Sequence, residues 1–123
     1  MILLGMIAWP SRSFPLIGGF GAACAGVEGF ARNLAAELGP KGVRVVCLRS
    51  AGSPESITET MDAHASGNRV TRDEFVASLA EMTMLKRLPS LADVGNVAAL
   101  MASDHASSMT STVANMTCGQ MAD

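Results

Sequence analysis

The stretch Gly18 to Leu38, GGFGAACAGVEGFARNLAAEL, constrains the fold more than any other part of the chain. Cys24, Val27, Ala31, Leu34 and Leu38 recur at the spacing that puts apolar side chains on one face of a helix. Glu28 and Arg32, one turn apart, make a favourable pair on the polar side. Gly39 and Pro40 then stop the helix, because glycine suits a left-handed cap and proline cannot continue the hydrogen-bond ladder. Gly21, Ala22, Ala25, Gly26 and Gly29 form a strip of small residues, at a helix-propensity cost of roughly 1 kcal/mol for each interior glycine. Such a strip expects another backbone close by, from a strand, a second helix or a second copy.

Around this helix the chain reads as alternating strands and helices. Ile2 to Ala8 is an apolar run of strand length, as a parallel strand covered on both faces requires, and Trp9 and Pro10 close it. Val43 to Leu48, VRVVCL, is a second strand rich in β-branched residues, so strand, helix and strand predict a right-handed parallel crossover. The loop Ser50 to Ser56 leads to a weaker pattern, with a short helix over Thr58 to Ala65, a break at Gly67 and Asn68, and a capping box of Thr71 and Glu74. The region Ile57 to Met84 has the look of a mobile flap. Ser90 and Asp93 form a second capping box, ahead of an apolar stripe at Leu91, Val94, Ala98 and Met101. Thr112 to Thr117 is the last strand.

Composition narrows the function classes. Nine Lys and Arg against eleven Asp and Glu give a net charge of -2, so nothing in the charge favours nucleic acid or an anionic membrane. The opening MILLGMIAW is too short to span a bilayer and lacks the basic residues of a secretory signal. Cys24, Cys47 and Cys118 are odd in number and lack CxxC spacing, which fits reduced thiols and a cytoplasmic location better than a disulfide framework. The nine methionines, Met82, Met84, Met101, Met109 and Met116 among them, read as core or interface filler.

GFGAACAGVEGFARNLAAELGPKGVRVVCLRSAG, at Gly19 to Gly52, and LKRLPSLADVGNVAALMASDHASSMTSTVANMTCG, at Leu85 to Gly119, resemble the C-terminal half of the short-chain dehydrogenase/reductase family. The resemblance implies an α/β fold, a single truncated domain over residues 1–123. It is a partial Rossmann-like three-layer arrangement of about three parallel strands in sequence order with flanking helices. In the family this helix carries a tyrosine that exchanges a proton with substrate. One turn later a lysine lowers its pKa and holds the nicotinamide ribose. Phe20 and Cys24 stand at those positions, and the catalytic serine falls on or beside Ile7 and Ala8. None of the three can repeat the family's chemistry. Ala51 and Gly52 keep the turn of the family's proline-glycine pair without its proline. The N-terminal half with its glycine-rich dinucleotide turn has no counterpart, so the expectation is no cofactor.

The remaining candidates each have a bland reading beside a sharp one. Gly19-x-Gly21 at a helix start offers backbone NH groups to a phosphate, and Arg49 offers a cation to the 2′-phosphate of NADP; against NAD or NADP binding, the loop Pro10 to Gly18 separates these glycines from their strand, and Arg49 matches a structural arginine of the family. Cys24 in the first turns of a helix is a candidate nucleophile, or a buried packing thiol. His64 and His105 are candidate acid-base groups, or solvated surface histidines. Ser11, Ser13 or Ser53 with a histidine would make a hydrolase on paper, without a GxSxG elbow. The histidines and cysteines have no metal-ligand spacing, and Asn115-Met116-Thr117 is a glycosylation pattern on a predicted inner strand.

These observations favour a protein of the family that has lost hydride transfer and acts as an oligomeric binding or interaction module. An unpaired first-strand edge and an uncovered helix would be buried in a homodimer or higher homo-oligomer, with room for a small-molecule ligand. The rivals are a small hydrolase of changed chemistry, and an NAD(P)-dependent oxidoreductase completed by a partner.

Overall fold

The computed structural model describes residues 18–55 and 58–122. The expected strand Ile2 to Ala8 lies outside them, as do Ile7, Ala8, Ser11 and Ser13 at the positions proposed for catalytic hydroxyls. Helix α1 spans Phe20–Leu38, strand β1 Val46–Ser50, helix α2 Thr58–Gly67, helix α3 Arg72–Glu81, helix α4 Leu91–Ala102 and strand β2 Thr112–Met116. Short 3-10 turns at Gly39–Lys41 and Asp104–Ala106 follow α1 and α4.

Among the described residues β1 and β2 form a two-stranded parallel sheet, with Val46 opposite Thr112 and Ser50 opposite Met116. β1 is buried on both faces, and its alternation divides the core. Val45 and Cys47 pack with Ala31 and Ala35 of α1, over which Val27, Leu34, Leu38 and Val113 close. Val46 and Leu48 point the other way, to Met101 of α4 and Ala106, with Val97, Ala98, Met109 and Met116 around them. A third cluster joins Ala51, just past β1, to Met61 of α2, Leu79 of α3 and Leu88. The α2 and α3 region, expected as a flap, is packed onto the end of β1 by this cluster. Arg72 adds a tie by donating to the Pro54 carbonyl at 2.6 Å.

Two features of the sequence reading change. The helix does not stop on a left-handed Gly39, which is right-handed (φ -53, ψ -44). Pro40 is tolerated in the first turn of the 3-10 segment, where no NH is needed, and the left-handed residue is Gly42 at φ 74. β1 also begins later than Val43, because Val43 and Arg44 have other duties: the Val43 NH donates back to the Leu38 carbonyl at 3.3 Å. The Arg44 guanidinium reaches across to the end of α4. It donates to the carbonyls of Ala106 at 2.8 Å, Met109 at 3.2 Å, Ser103 at 3.2 Å and Ala102 at 3.4 Å. The Ser103 and Ala106 carbonyls also accept the NH groups of Ala106 and Met109, so the planar fork of donors adds to the turn's own bonds and gathers the carbonyls at the end of α4.

Both expected capping boxes form. The Thr71 hydroxyl accepts from the Glu74 NH and the Glu74 carboxylate accepts from the Thr71 NH. Ser90 and Asp93 do the same for α4, and Asp93 also takes the Arg87 guanidinium at 2.7 Å. The backbone NH donors, followed by the side-chain bonds, hold the carboxyls of Glu74 and Asp93 below their ordinary values of 4.5 and 3.8. Among the described residues no helix is long and apolar enough to cross a membrane.

Two outcomes are expected. Replacing Arg44 by Ala lowers stability by about 2 kcal/mol, since several carbonyls lose a charged donor, and Arg44→Lys restores only part of this because an ammonium lacks the fork; thermal unfolding of the two variants checks it. A carboxyl depressed in the folded state contributes stability above its unfolded pKa and loses it as pH falls through the folded value. The melting temperatures of Asp93→Asn and of the parent therefore converge below about pH 4 and separate above it. A gap independent of pH removes the carboxylate from the cap's contribution.

Candidate functional site

The direction of α1 relative to β1 fixes where its first turn lies. Ala31 and Ala35 pack against Val45 and Cys47, while Glu28, earlier in α1, meets Arg49, later in β1. Helix and strand are therefore antiparallel. Phe20 and Cys24 lie beyond Glu28 in the same direction, and the eight residues from Glu28 back to Phe20 rise about 12 Å. The start of α1 thus stands toward the carboxyl end of β1, the end from which the buried residues Ala51, Gly52 and Ser53 continue. In open α/β sheets this is the position of the ligand crevice.

At that position Phe20 opens the helix with 47% of its surface exposed, and Cys24 one turn later is 6% exposed. Phe20 offers an apolar ring and no proton. Cys24 is buried. Gly19 is the N-cap, with no side-chain hydrogen bond, and its carbonyl accepts from the Ala23 NH at 3.0 Å. Among the described residues an added Cβ at Gly19 or Gly21 would meet nothing within 4 Å. Arg49 is not held out toward the crevice. Its Nε donates to Glu28 Oε1 at 2.8 Å and a second nitrogen to Oε2 at 3.1 Å, with the arginine side chain only 12% exposed. This fork is shorter than the Glu28–Arg32 contact of 3.5 Å read from helical spacing. A partly buried pair with both carboxylate oxygens engaged is a structural use of Arg49 and not a free phosphate ligand.

The other candidates are scattered. His64 is not a solvated surface histidine: it is half-buried on α2 and stacks on Phe75 of α3, ring centres 6.0 Å apart and planes at 12°. His105 is exposed in the 3-10 turn after α4. Ser53 is buried in the loop after β1. All three cysteines are free; burial, followed by the nearby Glu28 carboxylate, pushes the Cys47 thiol up, and burial pushes up Cys118. Neither is poised as a thiolate nucleophile. Among the described residues no group of three or more His, Cys, Asp or Glu is placed to hold a metal ion.

Sequence reasoning did not find the groove of about 470 Å³ on the α4 side of the sheet, away from Cys24. Met84, Leu85, Asn96, Val97, Asn115 and Cys118 contribute to its walls. The exposed Met84 and Leu85 were the available signal, though consecutive apolar residues in a turn do not reveal which face they join. Met84 packs so closely on Gly119, at φ 80, that an added Cβ there would come within 2.6 Å of the Met84 Cβ.

The comparisons with known proteins agree with this geometry and correct one expectation. A family model described as enoyl-(acyl carrier protein) reductase matches residues 4–120. The peroxisomal 2,4-dienoyl-CoA reductase SPS19 of Saccharomyces cerevisiae is 32% identical over 89% of this chain and 36% of its own length. The enoyl-(acyl-carrier-protein) reductase (NADH) FabI of Synechocystis is 39% identical over 73% of this chain and 32% of its own. The crystal structure of sorbitol-6-phosphate 2-dehydrogenase SrlD from Erwinia amylovora superposes with a TM-score of 0.84 at 26% identity, over 98% of this chain and 49% of that one. The chain thus spans about a third of the length of these curated relatives and about half of the solved structure. The expectation of no cofactor is overturned: the sequence relatives are reductases, FabI carries NADH in its name, and they point to a nicotinamide cofactor. With its parallel strand pair and the match over residues 4–120, the chain belongs to the short-chain dehydrogenase/reductase family.

Proposed function

We propose that the chain serves as the C-terminal, ligand-facing half of a nicotinamide-dependent fold of the enoyl-thioester reductase type, in which the family's proton-donating pair has been replaced. The observation that carries this reading is the side chain at the start of α1: an exposed phenyl ring at Phe20 and a buried thiol at Cys24. A bound nicotinamide would supply hydride. Neither Phe20 nor Cys24 offers a hydroxyl or a fixed cation to a nicotinamide ribose, so the described residues contribute the shape and backbone of the crevice. The names of the two relatives support an α,β-unsaturated acyl thioester as the ligand class. Phe20 would then present an apolar wall to such a ligand and hold no proton for it.

The same helix supports association with a second copy. Phe20 and Phe30, the latter 54% exposed, stand out from α1, and among the described residues nothing lies within 4 Å of where a Cβ would stand on Gly21, Gly26 and Gly29. Burying such a face removes apolar surface from water and lets two backbones approach closely.

Titration with NADH and NADPH, followed by thermal unfolding, is expected to give a saturable rise in melting temperature with one of them. Loss of reduced-nicotinamide absorbance with an enoyl-CoA substrate is expected to be slow. Phe20→Tyr, alone and combined with Cys24→Lys, should raise turnover, by up to about 10²–10⁴-fold if a general acid is what is missing. Turnover by the parent equal to that of the tyrosine variants overturns the lost-acid reading, and the absence of any saturable shift overturns the cofactor reading. Light scattering of the size-fractionated protein should give a dimer or larger assembly that Phe30→Asp disperses; a monomeric parent excludes self-association through α1.

A further inference from the structure

Two short stretches place sulfur on either side of a threonine: Met82-Thr83-Met84 after α3, and Met116-Thr117-Cys118 at the end of β2. Both threonines are buried. The Thr83 hydroxyl donates to the Ala80 carbonyl at 2.8 Å, and the Thr117 hydroxyl to Asn115 Oδ1 at 2.8 Å. With the threonines fixed inward, Met84 is left 73% exposed and Met116 and Cys118 half-buried. The two stretches lie against each other. The Leu85 NH donates to the Cys118 carbonyl at 3.1 Å, and the Met84 Sδ stands 3.1 Å from where a Cβ on Gly119 would be. Neighbouring Cα atoms are about 3.8 Å apart, so that thioether lies about one residue from Cys118. Met84, Met116 and Cys118 all line the groove of about 470 Å³ beside α4.

We propose that Met84, Met116 and Cys118 form a binding site for a soft monovalent cation of the Cu(I) class at the mouth of this groove. Two thioethers and a thiol are the donor set that selects such an ion over a hard divalent one, which would need carboxylates. Arg87 and Asp93 line the same groove but are bonded to each other at 2.7 Å, so neither charge is left to repel or replace the ion. On binding, the Cys118 thiol gives its proton to solvent as the sulfur–metal bond forms; the thioethers donate lone pairs, and the ion keeps its oxidation state. The exposed Met84 has three rotatable side-chain bonds with which to close over the ion. The site is independent of the crevice at α1 and of the cofactor reading.

Competition of Cu(I) between the phosphine-reduced, oxygen-free protein and a chromophoric chelator tests this, with Ag(I) as a redox-inert probe for NMR. One ion per chain is expected, and Ag(I) should shift the methyl resonances of Met84 and Met116 but not that of Met82. Cys118→Ser should abolish this binding. Met84→Leu and Met116→Leu should each weaken it by at least the roughly tenfold that loss of even an outer-shell partner costs, while Met82→Leu leaves it unchanged. Leucine conserves the volume of methionine, so the packing survives these changes. Binding that persists in Cys118→Ser, or that keeps its affinity in both leucine variants, belongs to another thiol or to Cys118 alone and overturns the proposal, as does the absence of binding. Should a variant fail to fold, the methyl shifts of the parent decide.

Discussion

A parallel strand enclosed on both faces must send apolar side chains in both directions, and the rest of this structure depends on β1 doing so. Val45 and Cys47 draw α1 onto one side, and Val46 and Leu48 draw α4 and the Asp104–Ala106 turn onto the other. With β2 paired along one edge, the contacts of Ala31 and Ala35 with Val45 and Cys47 and of Glu28 with Arg49 set α1 antiparallel to β1, so the start of α1 lies toward the carboxyl end of the strand. The Ala51 cluster then brings α2 and α3 to the same end. One strand of five residues, with Ala51 just past it, therefore gathers α1, α2, α3 and α4.

Interactions that are local along the chain were legible; those closing over long separations were not. The periodicity of Val27, Ala31, Leu34 and Leu38 and the two capping boxes are encoded within a few residues of one another, and the structure contains them as read. Glu28 offered Arg32 one turn away and Arg49 across a separation of 21 residues, and only the local partner can be seen in a sequence pattern. Arg44 looked like part of a strand because its neighbours are β-branched, yet its acceptors lie 58 to 65 residues further on. The left-handed position fell on Gly42 for a similar reason: two glycines flank Pro40 and Lys41, and the choice depends on whether the 3-10 turn continues the helix. His64 read as exposed because nothing near it in sequence announces the stack with Phe75.

The family was easier to read than the chemistry because the two reside on different sides of α1. Ala31, Ala35 and the partly buried Val27, Leu34 and Leu38 make the helix and dock it, whereas Phe20 lies at the exposed tip and takes no part in those contacts. Phenylalanine in place of tyrosine at an exposed helix start removes one hydroxyl and leaves the packing face untouched, so the fold imposes no penalty on the exchange. Cys24 is different: it is buried, where a lysine ammonium would need a partner or an exit to water. A thiol removes that demand and suits the interior. Phenylalanine at the first position and a thiol at the second are therefore both compatible with the fold. Of the two positions, Phe20 is free of the core and Cys24 is part of the interior, so only the second couples the chemistry of the helix start to the packing that holds it.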